Sequence, residues 1–385
     1  MSAAKEHIGR LAHLLGGLSR GAALSFDEAR GLTPALYHSQ PCLELEIERI
    51  FKQEWICIGR GAEMPEYGDY LTFEIVDQPV VAIRQKDGSI RAFANACAHR
   101  CSRLLDGAGN AKRICCPYHS WTYTADGQLV GAPYMDQTPG FDVKSFRLAE
   151  LRSEVWEGFV YVNLDRDAAP LAEGLGELTQ VVGQYRMADY EPVMLEEDVW
   201  HTNWKCLVEN FMDAYHIHRV HAKSFGAHGK SEEFTTLFPG GPAFTYHHVD
   251  KESSNTGWGN AHPDNSWLKG DYRKRIMLLC VYPAHTIQLQ PDMLWYLSIQ
   301  PAGTEQVRIR WAVAIPSEIL DSVPDREAHI AELRSLLDQV NSEDRPTVER
   351  LLQTAKSERA TPGPMSYLER NVFEFDRYLA RKLCP

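Results

Sequence analysis

The chain of 385 residues has no apolar run long enough to cross a membrane. A bilayer-spanning helix needs roughly 20 apolar residues, and no segment approaches that length. The N-terminus also lacks the unbroken apolar core of a signal peptide, because its apolar residues are spaced as on one face of an amphipathic helix. These residues are Ile8, Leu11, Leu14 and Leu15. We therefore expect a cytoplasmic protein that does not contact a membrane.

Basic residues are too few for a nucleic-acid partner. The chain has 40 Lys and Arg against 52 Asp and Glu, which gives a formal net charge of -12 at pH 7. A protein that binds nucleic acid needs an excess of cations to neutralise phosphates. Nucleic acid is therefore not an expected partner, and the acidic balance indicates mainly a solvated surface.

The nine cysteines are scattered and odd in number, unlike the framework of a disulfide-stapled secreted domain. The sequence also has neither a glycine-rich dinucleotide fingerprint nor the cysteine run of plant-type ferredoxins. For redox chemistry, the chain would therefore need electrons from a separate protein, because it cannot take hydride from NAD(P)H by itself.

Length and residue pattern predict two domains and the fold class α+β. Residues 42–166 hold short runs of β-branched and aromatic residues separated by turn signals, which is typical of a small all-β domain. Its strands are expected at Tyr70–Ile75, Val80–Arg84, Ile90–Ala94, Val155–Asn163 and in a hairpin over Tyr123–Val130. Residues 1–41 and 167–385 would form the second domain.

The second domain is predicted to combine helices with a run of strands. Helices are expected at Leu171–Tyr185, Lys205–Val220, Arg326–Val340, Pro346–Ala355 and Tyr367–Lys382, with a further helix at Leu43–Ile56 in the first domain. Strands are expected at Met277–Leu289, Met293–Gln300 and Val307–Ala314, after a long polar stretch, Ser224–Tyr272. Aromatic residues that could line an apolar pocket are Phe211, Phe225, Phe244, Tyr246, Trp258, Trp267, Tyr282 and Trp295.

Two short segments in the all-β domain each offer one thiolate and one imidazole. Cys97 and His99 stand in Asn95-Ala-Cys-Ala-His-Arg100, and Cys116 and His119 in Cys-Pro-Tyr-His-Ser-Trp121. A zinc finger usually pairs its cysteines on one arm, whereas an iron–sulfur centre with two histidines on one iron suits mixed arms. This spacing favours a Rieske cluster, and a zinc knuckle or a chance cluster is the alternative.

A second cluster of polar side chains lies between Glu209 and His221 in a predicted helix. Asp213 and His216 are three residues apart and share a helix face, so the carboxylate could orient the imidazole. His216 and His221 diverge on a straight helix, so the helix must end or bulge between them if both bind one metal. His218 is the alternative ligand. Two histidines and a carboxylate are typical of non-haem Fe(II) oxygenases, and a solvated polar helix face is the other explanation.

These motifs together resemble those of the large subunit of Rieske non-haem iron oxygenases. The resemblance is carried by Cys97-Ala-His99-Arg100, Cys116-Pro-Tyr-His119, Asn203-Trp-Lys205, Glu209-Asn-Phe and Asp213-Ala-Tyr-His216 with His221, and it runs from about Tyr37 to the C-terminus. The family includes ring-hydroxylating dioxygenases and choline, carnitine and stachydrine-type oxygenases. It implies a Rieske [2Fe–2S] domain at 42–166 and a helix-grip-like catalytic domain with a central antiparallel sheet at 1–41 and 167–385.

The resemblance also implies roles for individual residues. Cys97 and Cys116 would hold one iron of the cluster, His99 and His119 the other, and His216 and His221 a mononuclear Fe(II). Asp213 would be the bridge that hydrogen-bonds a cluster histidine. In the family this bridge forms between neighbouring subunits of a head-to-tail trimer, so we expect a homotrimer.

For the third ligand of the mononuclear iron, the best match to the family is Asp344, because related sequences carry an Asp before a similar helix. Beside Pro346, however, Asp344 also fits the N-cap or first-turn acid of a helix that begins there. Glu343 is the second choice. Further possible ligands are Asp338, Glu349 and Asp376.

The chain departs from the family pattern around the cluster. Cys101 and Ser120 stand where many relatives carry Gly, and Cys115 precedes Cys116. A Cys101–Cys115 disulfide is conceivable, but small residues lining the loops are favoured in a reducing compartment.

The sequence thus predicts a terminal oxygenase. It would take electrons from an NAD(P)H-dependent reductase or a ferredoxin and use O₂ on a small aromatic or betaine-like substrate, which it hydroxylates or demethylates. A non-catalytic Rieske electron carrier is the alternative function.

Overall fold

The computed structural model describes residues 2–224, 234–250 and 259–384. The chain divides into two compact units, one of Phe51–Glu173 and one of Met1–Ile50 with Gly174–Pro385. The corresponding boundaries expected from the sequence are at 42 and 166. In the described ranges, no helix combines the length and apolar character that a membrane span requires.

The unit Phe51–Glu173 consists mainly of β-strands. They are β1 (Ile56–Arg60), β2 (Asp69–Ile75), β3 (Gln78–Arg84), β4 (Ile90–Ala94), β5 (Ala108–Asn110), β6 (Arg113–Cys115), β7 (Thr122–Thr124), β8 (Leu129–Gly131), β9 (Glu150–Trp156) and β10 (Phe159–Asn163). A seven-stranded antiparallel sheet has the order β1-β10-β9-β4-β3-β2-β5, and β6-β7-β8 form a small second sheet. This confirms the all-β prediction.

The two cysteines of the predicted cluster belong to the hydrophobic core of this unit. Cys97 and Cys116 lie in one buried group with Val81 of β3, Phe93 of β4 and Tyr123 of β7. The loops that carry the thiols are therefore anchored to both sheets by apolar burial.

The other unit combines helices with one large sheet. The helices of the chain are α1 (Ser2–Ala22), α2 (Gln40–Glu46), α3 (Leu171–Val182), α4 (Trp204–Met212), α5 (Ile217–Val220), α6 (Ser317–Ser322), α7 (Arg326–Ala355) and α8 (Arg370–Leu383). The strands are β11 (Glu191–Trp200), β12 (Thr235–Leu237), β13 (Phe244–Asp250), β14 (Arg275–Val281), β15 (His285–Leu289), β16 (Leu294–Pro301) and β17 (Val307–Ile315). All pairs in the sheet β11-β17-β16-β15-β14-β13-β12 are antiparallel. Helix α4 packs on β14 and β16, and α8 packs on β13, which confirms the predicted α+β class.

Two segments predicted as single strands are hairpins. Val155–Asn163 reverses at Glu157 and Gly158, which both have positive φ, as tight hairpin turns require. Met277–Leu289 reverses between β14 and β15, where Pro283 has no N–H for a strand ladder.

Six strands are not predicted from the sequence, namely β1, β5 and β6 of the all-β unit and β11, β12 and β13 of the large sheet. The polar stretch Ser224–Tyr272 contains β12 and β13, and β11 precedes it. Strand β11 carries exposed acids such as Glu197 and Asp198, which have low strand propensity, and it forms because it pairs along its length with β17.

The helix predicted at Leu43–Ile56 is wrong in its second half. Helix α2 ends at Glu46, Ile47–Phe51 forms a π-helical turn, and Ile56 starts β1 opposite Val162. Pairing with β10 outweighs the helical spacing of the apolar residues there.

The two tail helices predicted around residue 344 are one helix, α7, with Pro346 inside it. Apolar residues on both sides of the proline, Leu337, Val340, Val348 and Leu352, are buried. Their packing keeps the helix continuous where the proline alone would break it. Asp344 is therefore in mid-helix, and its interpretation as an N-cap is wrong.

Candidate functional site

A break after helix α4 places two histidines close together. The helix ends at Met212, because Asp213 leaves the helical conformation and its Oδ1 accepts a hydrogen bond of 2.6 Å from Tyr215 N. Such local side-chain bonds compete with helix hydrogen bonds. Helix α5 begins after His216 and ends before His221. The single helix predicted at Lys205–Val220 is thus two, and the break between them lies before His216. The helix end that the histidine spacing requires is the end of α5 at Val220.

Three side chains converge at this break. His216 Nε2 lies 3.2 Å from His221 Nε2, and Asp344 Oδ1 lies 3.2 Å from His221 Nε2 and 3.5 Å from His216 Nε2. Neighbouring ligands of an octahedral ion with bonds of about 2.1 Å are separated by about 3.0 Å. Across residues 2–224, 234–250 and 259–384, this is the one group of three such side chains whose ligand atoms all lie within 4.8 Å of one another. The three atoms can therefore occupy one face of an octahedron.

The chemistry of these three side chains fits a divalent metal. Asp344 Oδ1 is buried and accepts no hydrogen bond, and His221 is only 2% exposed. A buried carboxylate oxygen without a donor is costly, and a cation held by all three atoms would remove that cost. Two imidazoles and one carboxylate match the ligand set of non-haem Fe(II).

The charges at the site stabilise one another. Burial lowers the pKa of His216, but the nearby carboxylates of Asp213 and Asp344 outweigh burial and raise that pKa to about 9. Burial raises the pKa of Asp344, and the two histidines outweigh it and hold the pKa well below its usual value. Because a metal would compete with these protons, metal binding here is coupled to proton release.

A carboxylate lies close to the Nδ1 atom of each histidine, on the side of the ring away from the candidate metal position. Asp213 Oδ2 lies 3.4 Å from His216 Nδ1, and Glu343 Oε2 lies 2.9 Å from His221 Nδ1. Ser224 Oγ donates to the same Glu343 oxygen at 2.6 Å. Partners of this kind fix the orientation of metal-binding imidazoles. Glu343, the second choice as third ligand, therefore orients His221 from the side away from Asp344.

The remaining ligand candidates lie outside the three-residue group. His218 is exposed, with Nδ1 2.6 Å from the carbonyl oxygen of Tyr215. Asp338 and Glu349 form ion pairs with arginines on α7. Asp376 is buried in α8.

The aromatic residues expected around a pocket differ in position. Phe211 of α4 and Trp295 of β16 contact each other, with ring centroids 5.9 Å apart. Phe244 and Tyr282 are buried in the core. Phe225 and Trp258 lie outside the described residues.

In the other unit, the two cluster loops have matching backbone geometry. Cys97 N donates to Ser102 O and Cys101 N to Cys97 O, while Cys116 N donates to Trp121 O and Ser120 N to Cys116 O, all at 2.8–3.0 Å. Cys101 and Ser120 both have positive φ, 54° and 59°. Left-handed backbone costs most residues about 1 kcal/mol or more and costs Gly almost nothing. Glycine would adopt this backbone at either position without that cost.

The two cysteines of the cluster loops are buried, and the two histidines are exposed. Cys97 and Cys116 are each 2% exposed, whereas His99 and His119 are exposed, with ring centroids 4.8 Å apart. Trp121 stacks on His99 at 4.8 Å with an interplanar angle of 8°. Two buried thiols and two outer imidazoles suit a cluster with one cysteine-bound and one histidine-bound iron.

Hydrogen-bond donors surround the sulfurs. Tyr123 Oη lies 3.2 Å from Cys97 Sγ, a contact between residues 26 apart that was not predicted from the sequence. Burial raises the pKa of Cys116, but hydrogen bonds from the backbone at Tyr118 and His119 outweigh burial and lower it. Donors of this kind tune a cluster's reduction potential.

Cys101 and Cys115 are free thiols and both are exposed. The conceivable disulfide between them is therefore not formed in this structure.

Two family models match the chain. The ring hydroxylating alpha subunit (catalytic domain) matches residues 183–384, and the Rieske [2Fe-2S] domain matches residues 54–147. The second match contains both paired Cys/His loops, so they lie in a Rieske domain, which favours the [2Fe–2S] interpretation over the zinc knuckle. The first covers more than half of the chain.

Similar proteins include oxygenases of two kinds. The carnitine monooxygenase oxygenase subunit of Acinetobacter pittii (strain PHEA-2) is 35% identical over 198 residues, 51% of this chain and 53% of that protein. The 2-aminobenzenesulfonate 2,3-dioxygenase subunit alpha of an Alcaligenes species is 33% identical over 285 residues, 72% of each chain. The match thus spans about half the length of the first relative.

A solved structure establishes the fold as that of Rieske oxygenases. The quaternary ammonium Rieske monooxygenase CntA in complex with L-carnitine aligns with a TM-score of 0.79 and 24% identity, and the alignment covers 94% of this chain and 98% of that one.

Proposed function

Because the chain belongs to the ring-hydroxylating alpha subunit family and carries a Rieske [2Fe-2S] domain, we propose that it is the terminal oxygenase of a multicomponent system. It accepts electrons from an NAD(P)H-dependent reductase or a ferredoxin and uses O₂ to hydroxylate or demethylate a small organic substrate. The observation that carries this proposal is the convergence of His216, His221 and Asp344 in a chain with a Rieske domain.

The proposal assigns each site residue a task. Cys97, His99, Cys116 and His119 hold the [2Fe–2S] cluster, and His216, His221 and Asp344 hold a mononuclear Fe(II). When bound, the cluster stores one electron at a time and the mononuclear iron offers open positions for O₂. Glu343 keeps His221 in its ligand orientation through the 2.9 Å contact at Nδ1.

Asp213 links the two centres in this proposal. One of its oxygens lies 3.4 Å from His216 Nδ1, and the exposed rings of His99 and His119 are open to approach by a neighbouring chain. The carboxylate would hydrogen-bond a cluster histidine of the next subunit, so that a homotrimer is the active assembly.

A quaternary ammonium compound is the substrate class that we favour. The names of several relatives refer to carnitine or glycine betaine. The ring pair of Phe211 and Trp295 provides π faces near the helix break, and such faces attract quaternary ammonium groups. An aromatic amine or sulfonate is the second candidate, because the relative that covers 72% of each chain is named for 2-aminobenzenesulfonate.

The test is oxygen transfer from ¹⁸O₂ with a surrogate reductase. Carnitine, glycine betaine and 2-aminobenzenesulfonate are supplied in turn, and product is analysed by mass spectrometry. We expect one labelled oxygen in a product of an ammonium substrate. Label incorporated only into 2-aminobenzenesulfonate would favour the second candidate. Reduction and reoxidation of the cluster without labelled product from any of the three would contradict the proposal.

A further inference from the structure

Two carboxyl groups are buried in the unit that carries the candidate iron site, on α4 and α8, which pack against each other. Glu209 on α4 is 9% exposed and Asp376 on α8 is 5% exposed. Acidic side chains are rarely buried to this extent unless a cation or several donors compensate them. The site described above uses neither residue.

Neither buried carboxyl has enough hydrogen-bond donors or nearby cations to offset the cost of its burial. Glu209 Oε2 accepts a hydrogen bond of 2.7 Å from Tyr37 Oη, but Glu209 Oε1 and Asp376 Oδ1 are buried without a hydrogen bond. The nearby buried cation, Lys205, is engaged by Glu46 at 2.7 Å. An ionised pair would leave two negative charges in a dry interior, so the two groups must hold at least one proton between them.

Burial and the surrounding charges raise the pKa of both carboxyls, which also favours protonation. Burial is the main cause that raises the pKa of Glu209 to about 8, while Tyr37 and Lys205 oppose it. Burial, with Glu209 as the next cause, raises the pKa of Asp376 well above its usual value. The other ionisable groups that act on the pair or on Tyr37 are Asp213, Glu369 and Cys206. Both pKa shifts favour the protonated form of these carboxyls.

Glu209 lies about one helical turn before Asp213 and is acted on electrostatically by it. Glu209 precedes Asp213 by four residues, so both lie on one side of α4 and its end. Asp213 in turn lies 3.4 Å from His216 Nδ1. On the other side, Glu369 is half-buried at the start of α8 and acts electrostatically on both Glu209 and Asp376.

We infer that the buried carboxyls of Glu209 and Asp376 hold at least one stored proton, and that this proton serves the oxygenase reaction. This rests on the proposed function. Insertion of one oxygen atom converts a C–H bond, O₂, two electrons and two protons into an alcohol and water, with the electrons supplied by the reductase. One of the protons leaves the Glu209–Asp376 pair towards Asp213, and the pair is reprotonated from solvent past Glu369.

Infrared difference spectroscopy in H₂O and D₂O detects the stored proton directly in the metal-loaded protein. A protonated carboxyl gives a carbonyl band that shifts in D₂O. We expect this band at pH 7, its loss as pH rises through about 8, and its loss or displacement in Glu209→Gln and in Asp376→Asn. Glu349→Gln is the matched control, because Glu349 is ion-paired with Arg345 and should contribute no such band.

Stability and turnover provide independent readouts. Because the folded-state pKa of Glu209 is raised, its stabilisation is fully present below the unfolded pKa of about 4.3 and is lost as pH rises to about 8. The melting temperature should therefore fall over this interval, and by less in Glu209→Gln. In both variants, product formed per electron consumed should fall about tenfold or more, while the rate of cluster reduction stays unchanged.

If either variant fails to fold, Tyr37→Phe replaces it, because loss of its hydrogen bond should shift the carbonyl band of Glu209. Absence of the band from the wild type, or its survival unshifted in the variants, overturns the stored proton. If variants that lack the band form as much product per electron consumed as the wild type, the stored proton has no role in turnover. The band needs no substrate, so its presence without product from any substrate would refute the proposed function and not the stored proton.

Discussion

Replacing His216 with Ala is expected to abolish product formation while leaving the visible spectrum of the Rieske cluster unchanged. His216 Nε2 is one of three atoms that face one another at 3.2–3.5 Å, and the other two cannot enclose an ion by themselves. Substitutions that only reorient a metal ligand already cost about 10- to 100-fold, so removal of the ligand should cost more than about 100-fold in product. The measurements are iron content, the cluster spectrum and product yield.

His218→Ala is the matched control for this experiment. His218 lies two residues away on the same short segment, but it is exposed and outside the three-residue group. We expect it to retain iron and activity. If His216→Ala keeps wild-type electron transfer and wild-type product, then the mononuclear site is wrongly placed. If neither protein forms product and both pass electrons equally well, the chain is an electron carrier.

Replacing Asp213 with Asn should separate the two centres functionally without emptying either. Asn has nearly the same shape, and its side-chain oxygen can still accept the hydrogen bond from Tyr215 N that ends α4. It lacks the negative charge that raises the pKa of His216 and that would bind a cluster histidine of the next subunit. We expect cluster reduction at the wild-type rate, with reoxidation by O₂ and substrate slowed about 100-fold or more.

Stopped-flow absorbance of the cluster follows both half-reactions. Asp338→Asn is the control, since Asp338 is an exposed acid paired with Arg334 and lies outside the site. Reoxidation of Asp213→Asn at the wild-type rate would show that electrons reach the mononuclear site by another route. Slow reduction of the cluster in Asp213→Asn would instead indicate damage to the Rieske domain.

The sequence predicts those parts of the sites that are close together in the chain. The mixed Cys/His arms are 16 residues apart, and their chemistry alone indicates a Rieske cluster. The spacing of His216 and His221 also requires the helix to end between them, and α5 ends at Val220. Local side-chain chemistry carries this information, so no tertiary contact is needed to infer it.

Contacts between distant residues cannot be inferred in this way. Asp344 and Glu343 are adjacent acids, and only the orientation of α7 decides that one faces both histidines while the other contacts His221 from behind. Pro346 favours a helix start, yet buried residues on both sides keep α7 continuous. The bond from Tyr37 to Glu209 spans 172 residues and leaves no local pattern.

Metal and sulfide analysis of the purified wild-type chain tests most directly whether one polypeptide holds both centres. The account predicts about three iron atoms for every two acid-labile sulfides, since the [2Fe–2S] cluster accounts for two irons and the site of His216, His221 and Asp344 for one. The excess iron should disappear in His216→Ala while the sulfide remains. Equal amounts of iron and sulfide in fully iron-supplied wild-type protein, or zinc in place of the excess iron, would contradict it.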